Sequence, residues 1–324
     1  MTGLDGSTGS SGSSYLLPFT PGPGSRGRQR YNPPGLSRMS LKHVLFVGDI
    51  VGDVGLGALR QHLPPLIERL SADFVIVNGE NTCDGKGLRP SDAAAIFGAG
   101  AHVITSGNHV WERWQSKDVL ARERNVLRPL NYPRENVGRG FTVVTLDDGV
   151  SIGVLNIQGR TYMQPIDCPF KGADWAIEKM REETSTIIVD FHAEATAEKG
   201  TMAWYLDGRV SAVLGTHTHV QTADARILPG GTAFITDVGM TGPYDSVIGM
   251  KKDVAIRRFI LQTPHKFELA SDDPRLSAVL VTVDTASGHA ISIAPITVPS
   301  FDRGATVTSY DTMPDITNSR SETP

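Results

Sequence analysis

Cysteine is nearly absent: Cys83 and Cys168 are the only two in 324 residues. Two thiols make no disulfide framework, so a reducing, cytoplasmic setting is expected rather than secretion. No run approaches the roughly 18 apolar residues that cross a bilayer, and the N-terminus lacks the apolar core of a signal peptide. No membrane partner is therefore expected. Positive charge is not in excess either. The formal net charge is −4, which gives no support for a role in coating nucleic acid or a membrane surface. What the chain does have is length and 40% hydrophobic content, enough to bury a full core.

The two ends differ in kind from the middle. Residues 1–40 are dominated by Gly, Ser, Pro and Arg, with Pro21-Gly22-Pro23-Gly24 and Pro33-Pro34 among them. Such a segment buries too little apolar area to offset its ordering entropy, so a disordered extension is expected. Met39 stands just before the first apolar run and is the expected natural start, the preceding stretch being a mis-called start or a tag. Residues 299–324 are also polar and are expected to form a flexible tail. Between them, residues 41–298 contain no internal repeat and no convincing linker, so one domain is the economical reading.

Within that domain short apolar runs alternate with helical patterns. Val44–Val47, Phe74–Val77, His102–Thr105, Ile187–Val189 and Ala212–Leu214 read as strands. Helical periodicity appears around Ala58–Leu70, Asp92–Gly98 and Ala173–Glu183, and Pro64-Pro65 predicts a kink or break in the first. Phe141–Leu146 and Ser151–Ile157 read as a hairpin, and strands near Ala233–Thr236, Ala278–Val283 and Ala290–Ile293 enrich the C-terminal third in β structure. Continuous β-rich runs between helices predict an α/β fold with buried sheets.

The strand ends carry the chemistry. In open α/β sheets the binding crevice lies at the carboxyl ends of strands, where residues distant in sequence meet. Those ends supply Asp49, Glu80, Asn81, Asn108, His109, His192, His217 and His219. The set offers carboxylates, amide carbonyls and imidazoles, with only Cys83 nearby as a thiol. Mixed O and N donors suit Mn, Fe, Zn or Mg and argue against a structural zinc site. Eight such groups are too many for one ion and about right for two, the usual device for phosphate ester hydrolysis.

Singly, each residue has a plainer reading. Asp49 suits a helix N-cap, Asn108 a left-handed turn and His192 a hydrogen-bonded structural position. Cys83 reads as a passive thiol. Gly85-Lys86-Gly87 lacks P-loop spacing and reads as a flexible loop. Only the combination at five separate strand ends resists the plainer account.

Gly48-Asp49, Gly79-Glu80-Asn81, Gly107-Asn108-His109, His192 and Gly215-Thr216-His217-Thr218-His219 occur in the order of the calcineurin-like metallophosphoesterases, which the chain resembles. It departs from that superfamily's Asp-x-His, since Ile50 and Val51 follow Asp49, and from its Gly-Asp-x-x-Asp, replaced here by Gly-Glu-Asn. Both departures are similar to the YmdB-type family, as are Asp190–Thr196 and Asp237–Pro243, and the likeness spans about Lys42–Ile296.

The resemblance implies layered β-sheets flanked by helices, with the active site at strand C-terminal ends. It implies two divalent metal ions, Fe or Mn favoured over Mg or Zn. Asp49, Glu80, Asn81 and His219 would hold the first, with Asn81 replacing the missing histidine. Glu80, Asn108, His192 and His217 would hold the second, Glu80 bridging. A metal-activated hydroxide would attack phosphorus while catalytic His109 assists the leaving group, and Arg160 is a candidate for orienting substrate phosphate. The implied activity is a phosphodiesterase on cyclic nucleotides, 2′,3′-cyclic ones foremost, with RNA-turnover proteins as partners and a homo-oligomer compatible with it. Two alternatives stay open: a phosphomonoesterase or protein phosphatase on the same site, and a regulatory binding protein acting on RNA-turnover machinery with weak catalysis.

Overall fold

The computed structural model describes residues 41–299, all within one compact unit. The readings made for residues 1–40 and for the tail from Ser300 onward fall outside the described residues. In chain order the elements are β1 (Leu41–Val47), β2 (Asp49–Ile50), α1 (Gly52–Leu70), β3 (Phe74–Asn78), α2 (Pro90–Gly98) and β4 (Val103–Thr105). A 3₁₀ turn (Asn108–Glu112), α3 (Trp114–Arg122), β5 (Phe141–Thr145), β6 (Ser151–Gln158), α4 (Pro169–Met180) and β7 (Thr186–His192) follow. Then come α5 (Thr196–Leu206), β8 (Ala212–Thr216), β9 (Arg226–Ile227), β10 (Ala233–Ile235), β11 (Met240–Pro243), α6 (Lys252–Leu261), β12 (Pro274–Asp284) and β13 (His289–Val298).

These strands form two sheets. The first runs β2-β11-β12-β1-β3-β4, with β13 on the other side of β12; the second runs β5-β6-β7-β8-β10-β9. β1, β3 and β4 are parallel in the first, and β6, β7, β8 and β10 in the second. The hairpin predicted from Phe141 to Ile157 is the antiparallel β5–β6 pair.

Strand alternation sorts the apolar side chains into three cores. Val44 and Phe46 of β1, with Phe74 and Ile76 of β3, pack between the sheets against Val154, Ile188, Ala212, Leu214 and Ile235. Their neighbours Leu45, Val47, Val75 and Val77 face the other way, onto Leu59, Leu63 and Leu66 of α1 and Ile96 of α2. Leu155, Ile157, Ile187, Val189 and Val213 do the same for the second sheet, onto α4 and α5. The result is a helix–sheet–sheet–helix sandwich. Burial on both faces is why these strands read as unbroken apolar runs, each fully buried side chain contributing roughly 1.5–3 kcal/mol.

Of the kink or break expected at Pro64-Pro65, the break does not occur: α1 runs through both prolines to a left-handed cap at Ser71. Both prolines are exposed, as are Arg60 and Gln61 four residues earlier, whose carbonyls lose their helical donors. Water can serve those carbonyls, while Leu59, Leu63 and Leu66 hold the opposite face in the core. Asp49 is not the N-cap of α1 either: that position is Val51, and no side chain caps the helix.

Candidate active site

The parallel strands β3 and β4 of one sheet and β7 and β8 of the other end at the same rim of the sandwich. Asp49 begins β2, Glu80 and Asn81 follow β3, Asn108 and His109 follow β4, His192 closes β7, and His217 and His219 follow β8. Asp49, Glu80 and His192 are wholly buried. The 3₁₀ turn starts at Asn108 without left-handed backbone, so the turn reading of that residue does not hold. His217 and His219 do adopt it, with φ of 95° and 65°. Non-glycine residues held there cost about 1–3 kcal/mol each and cluster at functional sites.

The side chains meet at close range. His192 Nε2 lies 3.0 Å from Glu80 Oε1, 3.0 Å from Asn108 Oδ1 and 3.1 Å from His217 Nδ1. Gly107 makes this approach possible, since a Cβ there would stand 2.2 Å from His192 Nε2.

Asp49, Glu80 and Asn81 are each fixed by one polar atom and leave another bare. Asp49 Oδ2 accepts the His217 backbone N–H at 3.1 Å, and Asp49 Oδ1 has no hydrogen-bond partner. Glu80 Oε2 accepts the His109 N–H at 3.0 Å, and Oε1 forms no hydrogen bond despite its nearness to His192. Asn81 donates its amide to the Gly85 carbonyl at 2.9 Å, leaving Oδ1 unpartnered.

The histidines follow the same pattern. Thr216 donates its one hydroxyl proton to Asp190 Oδ1 at 2.7 Å, so its oxygen accepts from His192 Nδ1 at 2.9 Å and Nε2 is the free nitrogen. His219 gives Nδ1–H to the Ile248 carbonyl at 2.9 Å, which frees Nε2. Glu194 lies 3.0 Å from His217 Nε2, which leaves Nδ1 facing the cluster.

Electrostatics mark the same point. Burial disfavours charge on His192, but the adjacent Glu80 carboxylate overcomes it and pushes the imidazole up to about 9. Burial would likewise raise Glu80, yet His192 beside it holds the carboxyl at about 2. Burial raises Asp49, and it pushes Asp190 up to about 7. Burial and then the His192 charge drive His217 down to about 3. Buried carboxylates here demand a positive charge.

A metal ion would meet that demand. Glu80, His192 and His217 each offer a ligand atom within 4.8 Å of the others. Ligand atoms about 2.1 Å from an ion stand about 3.0–3.4 Å apart at octahedral to tetrahedral angles. The separations around His192 Nε2 are of that size. The three unpartnered buried oxygens would otherwise cost about 1–3 kcal/mol each. The residues fit a metal centre.

His109 lines the cleft, its Nδ1 against the Glu112 carboxylate, which Lys86 also contacts. Gly85, Lys86, Ile248, Met250, Phe267 and Leu269 complete a cavity of about 330 Å³. Arg160 stands apart: it is exposed after β6, its backbone N–H is held by Glu198, and it does not line this cleft. Cys83 is buried, and burial raises its thiol pKa, as suits a passive thiol.

Several supporting residues were missed by sequence reasoning. Glu194 and Asp190 lie inside a quoted motif, but nothing in their spacing assigns them to His217 and Thr216. Lys199 and Asp237 form a buried ion pair at 2.7 Å, and Asp237 also accepts from the backbone N–H groups of Thr218 and Gly239. That pair props the loop carrying both histidines.

Comparison with known proteins places this chain in a family. Residues 45–296 match the profile of the YmdB-like protein family. The chain is 44% identical over 255 residues to the 2′,3′-cyclic-nucleotide 2′-phosphodiesterase of Bacillus subtilis strain 168, covering 79% of this chain and 96% of that protein. Among solved structures, a hypothetical protein from Thermus thermophilus is 41% identical with a TM-score of 0.74, covering 79% of this chain and 98% of that one. A novel phosphatase from Mycoplasma pneumoniae is 36% identical with a TM-score of 0.76, covering 80% and 94%. Among the described residues, no helix is long and apolar enough to cross a membrane.

Proposed function

The chain belongs to the YmdB-like family, and we propose that it is a dinuclear-metal phosphodiesterase that opens cyclic nucleotides, 2′,3′-cyclic ones foremost. The observation that carries this reading is the set of half-anchored ligands: Asp49, Glu80 and Asn81 each keep one oxygen bare, and His192, His217 and His219 each keep one nitrogen free of the bond that orients the ring. Asp49, Glu80, Asn81 and His219 would hold one ion; Glu80, Asn108, His192 and His217 the other. When bound, the ions would generate a nucleophile from water near neutral pH and offset charge building on the phosphate oxygens. The mixed N and O donors suit Fe, Mn, Zn or Mg, and the family likeness favours Fe or Mn.

The chain's own residues do the rest. Thr216, Ile248 and Glu194 fix the tautomers of His192, His219 and His217. Glu112 orients His109 so that its Nε2 is the nitrogen available to protonate the departing ribose oxygen as the P–O bond breaks. Ile248, Met250, Phe267 and Leu269 give the cleft an apolar side suited to a nucleobase, and its volume lies at the lower end for small-ligand sites. Arg160 would serve substrate phosphate only by moving toward the cleft from its exposed position. Because RNA cleavage through the 2′-hydroxyl leaves 2′,3′-cyclic ends, the reading also places the protein beside RNA-turnover proteins. Its two free cysteines support a cytoplasmic setting.

The test is turnover of 2′,3′-cyclic AMP, 3′,5′-cyclic AMP and an aryl phosphomonoester by Mn- or Fe-loaded protein. The expected order puts 2′,3′-cyclic AMP first. Failure to hydrolyse either diester overturns the reading, and faster monoester hydrolysis replaces it with a phosphomonoesterase.

A further inference from the structure

A second cavity, of about 640 Å³, opens beside the edge strand β5, between residues 124–143 and the start of α4. None of the expected metal ligands or His109 lines it. Its lining is strongly basic in a chain whose net charge is −4: Arg124, Arg128, Arg134, Arg139 and Lys171 against Asp167 and Glu183. Among the described residues none of those five cations forms a salt bridge with a carboxylate, and Lys171 acts only through its field on nearby Asp174.

Arg128 and Thr142 make this more than a solvated basic face. Arg128 is only 5% exposed, yet its guanidinium meets backbone carbonyls alone: Pro129 at 2.9 Å, Leu130 at 3.1 Å, Val137 at 3.2 Å and Asn136 at 3.4 Å. A buried charge without a counter-charge is costly unless an anion joins it. Thr142 is 4% exposed and its hydroxyl has no hydrogen-bond partner. The 12-residue helix α4 begins at the same wall, where Cys168, Lys171 and Gly172 line the cavity, and its N-cap Cys168 provides no side-chain cap, which leaves the positive end of its dipole beside the cavity. An aromatic surface stands alongside. The Trp175 indole is 44% exposed, meets Phe141 edge-on at 5.7 Å and carries the Arg134 guanidinium 5.8 Å from its centroid.

We propose that this cavity is a second ligand site, separate from the metal cluster, that takes a nucleoside phosphate. The phosphate lies toward Arg128, Thr142 and the α4 N-terminus, with Arg139 and Lys171 at the mouth. The base stacks on Trp175, where aromatic and guanidinium planes accept any base. The volume falls in the range of small-ligand sites. The ligand is either a free nucleotide or one unit of an RNA strand.

Calorimetric titration of the metal-loaded full chain with 5′-AMP tests the site. A saturable event is expected that survives Glu80→Gln. Arg139→Glu with Lys171→Glu should weaken it by about tenfold or more, and turnover at the metal site should be unchanged. Both residues are exposed, so these variants keep the fold; Thr142→Val and Trp175→Ala should each weaken binding without the charge reversal. Tighter binding of a short oligoribonucleotide than of 5′-AMP assigns the ligand to an RNA strand, and equal or weaker binding assigns it to a free nucleotide. Three results overturn the proposal: no saturable binding at millimolar 5′-AMP, orthophosphate binding as tightly as 5′-AMP, or an event lost in Glu80→Gln but kept in the charge-reversed variant.

Discussion

Replacing Gly107 by alanine adds one methyl group at the most crowded point of the candidate site. A Cβ at Gly107 would lie 2.2 Å from both Cδ2 and Nε2 of His192 and 2.5 Å from Glu80 Oε2. Ordinary contacts of this kind begin near 3.4 Å, so His192 or Glu80 must move by about 1 Å to escape the repulsive wall. Neither has room, because both are wholly buried, and His192 is also tied through Nδ1 to Thr216. The backbone at Gly107, with φ of −151°, is not left-handed; the harm comes from the clash. Overpacking of this kind costs about 1–3 kcal/mol of stability. Misplacing a ligand by about 1 Å should cost roughly 10–100-fold in metal affinity and about 100-fold in turnover. Metal titration of the stripped protein reads the first effect, and hydrolysis of 2′,3′-cyclic AMP at saturating Mn reads the second. A Gly107→Ala protein that binds metal and turns over within about twofold of the parent would refute the packing argument.

Five further perturbations separate the parts of the site. Lys199→Met leaves Asp237 buried without its ion pair, and urea unfolding should show a loss of about 3–5 kcal/mol. Thr216→Val breaks the Asp190–Thr216–His192 chain while preserving volume, so metal affinity should fall about 10–100-fold with near-UV circular dichroism unchanged. His219→Ala should empty the ion shared with Asp49 and Asn81, whereas His217→Ala should empty the one shared with Asn108 and His192; stepwise metal titrations of the two variants should lose different steps. Chelation should lower the melting temperature, since an ion at about 100 times its dissociation constant stabilises by about 2.7 kcal/mol.

Much of this was legible in the chain, for physical reasons that particular residues make clear. Val44–Val47 and Phe74–Val77 announced buried parallel strands because alternate side chains enter two different cores, leaving no polar face to dilute the run. Asp49, Glu80, Asn108, His192 and His217 were findable because parallel strands deliver their C-terminal ends to one rim. Pro64-Pro65 misled, since the cost of a helical proline depends on whether its lost carbonyl partners face water, as Arg60 and Gln61 do. α6 was not read: Ile256, Phe259 and Ile260 do recur at helical spacing, but only Ala255 of its ten residues is buried, so that apolar face marks no packed core. The left-handed backbone of His217 and His219, the need for glycine at 107 and the pairing of Glu194 with His217 are tertiary facts. They arise where β7 and β8 are brought beside β3 and β4, and no local pattern encodes them.

The central claim is that two ions sit among Asp49, Glu80, Asn81, Asn108, His192, His217 and His219. Elemental analysis of anaerobically purified protein tests it most directly, with Glu80→Gln measured in parallel. The account expects about two Fe or Mn ions per chain, reduced in Glu80→Gln because the bridging carboxylate is gone. An active protein with one ion or none, or a Glu80→Gln variant that keeps the full complement, would contradict it.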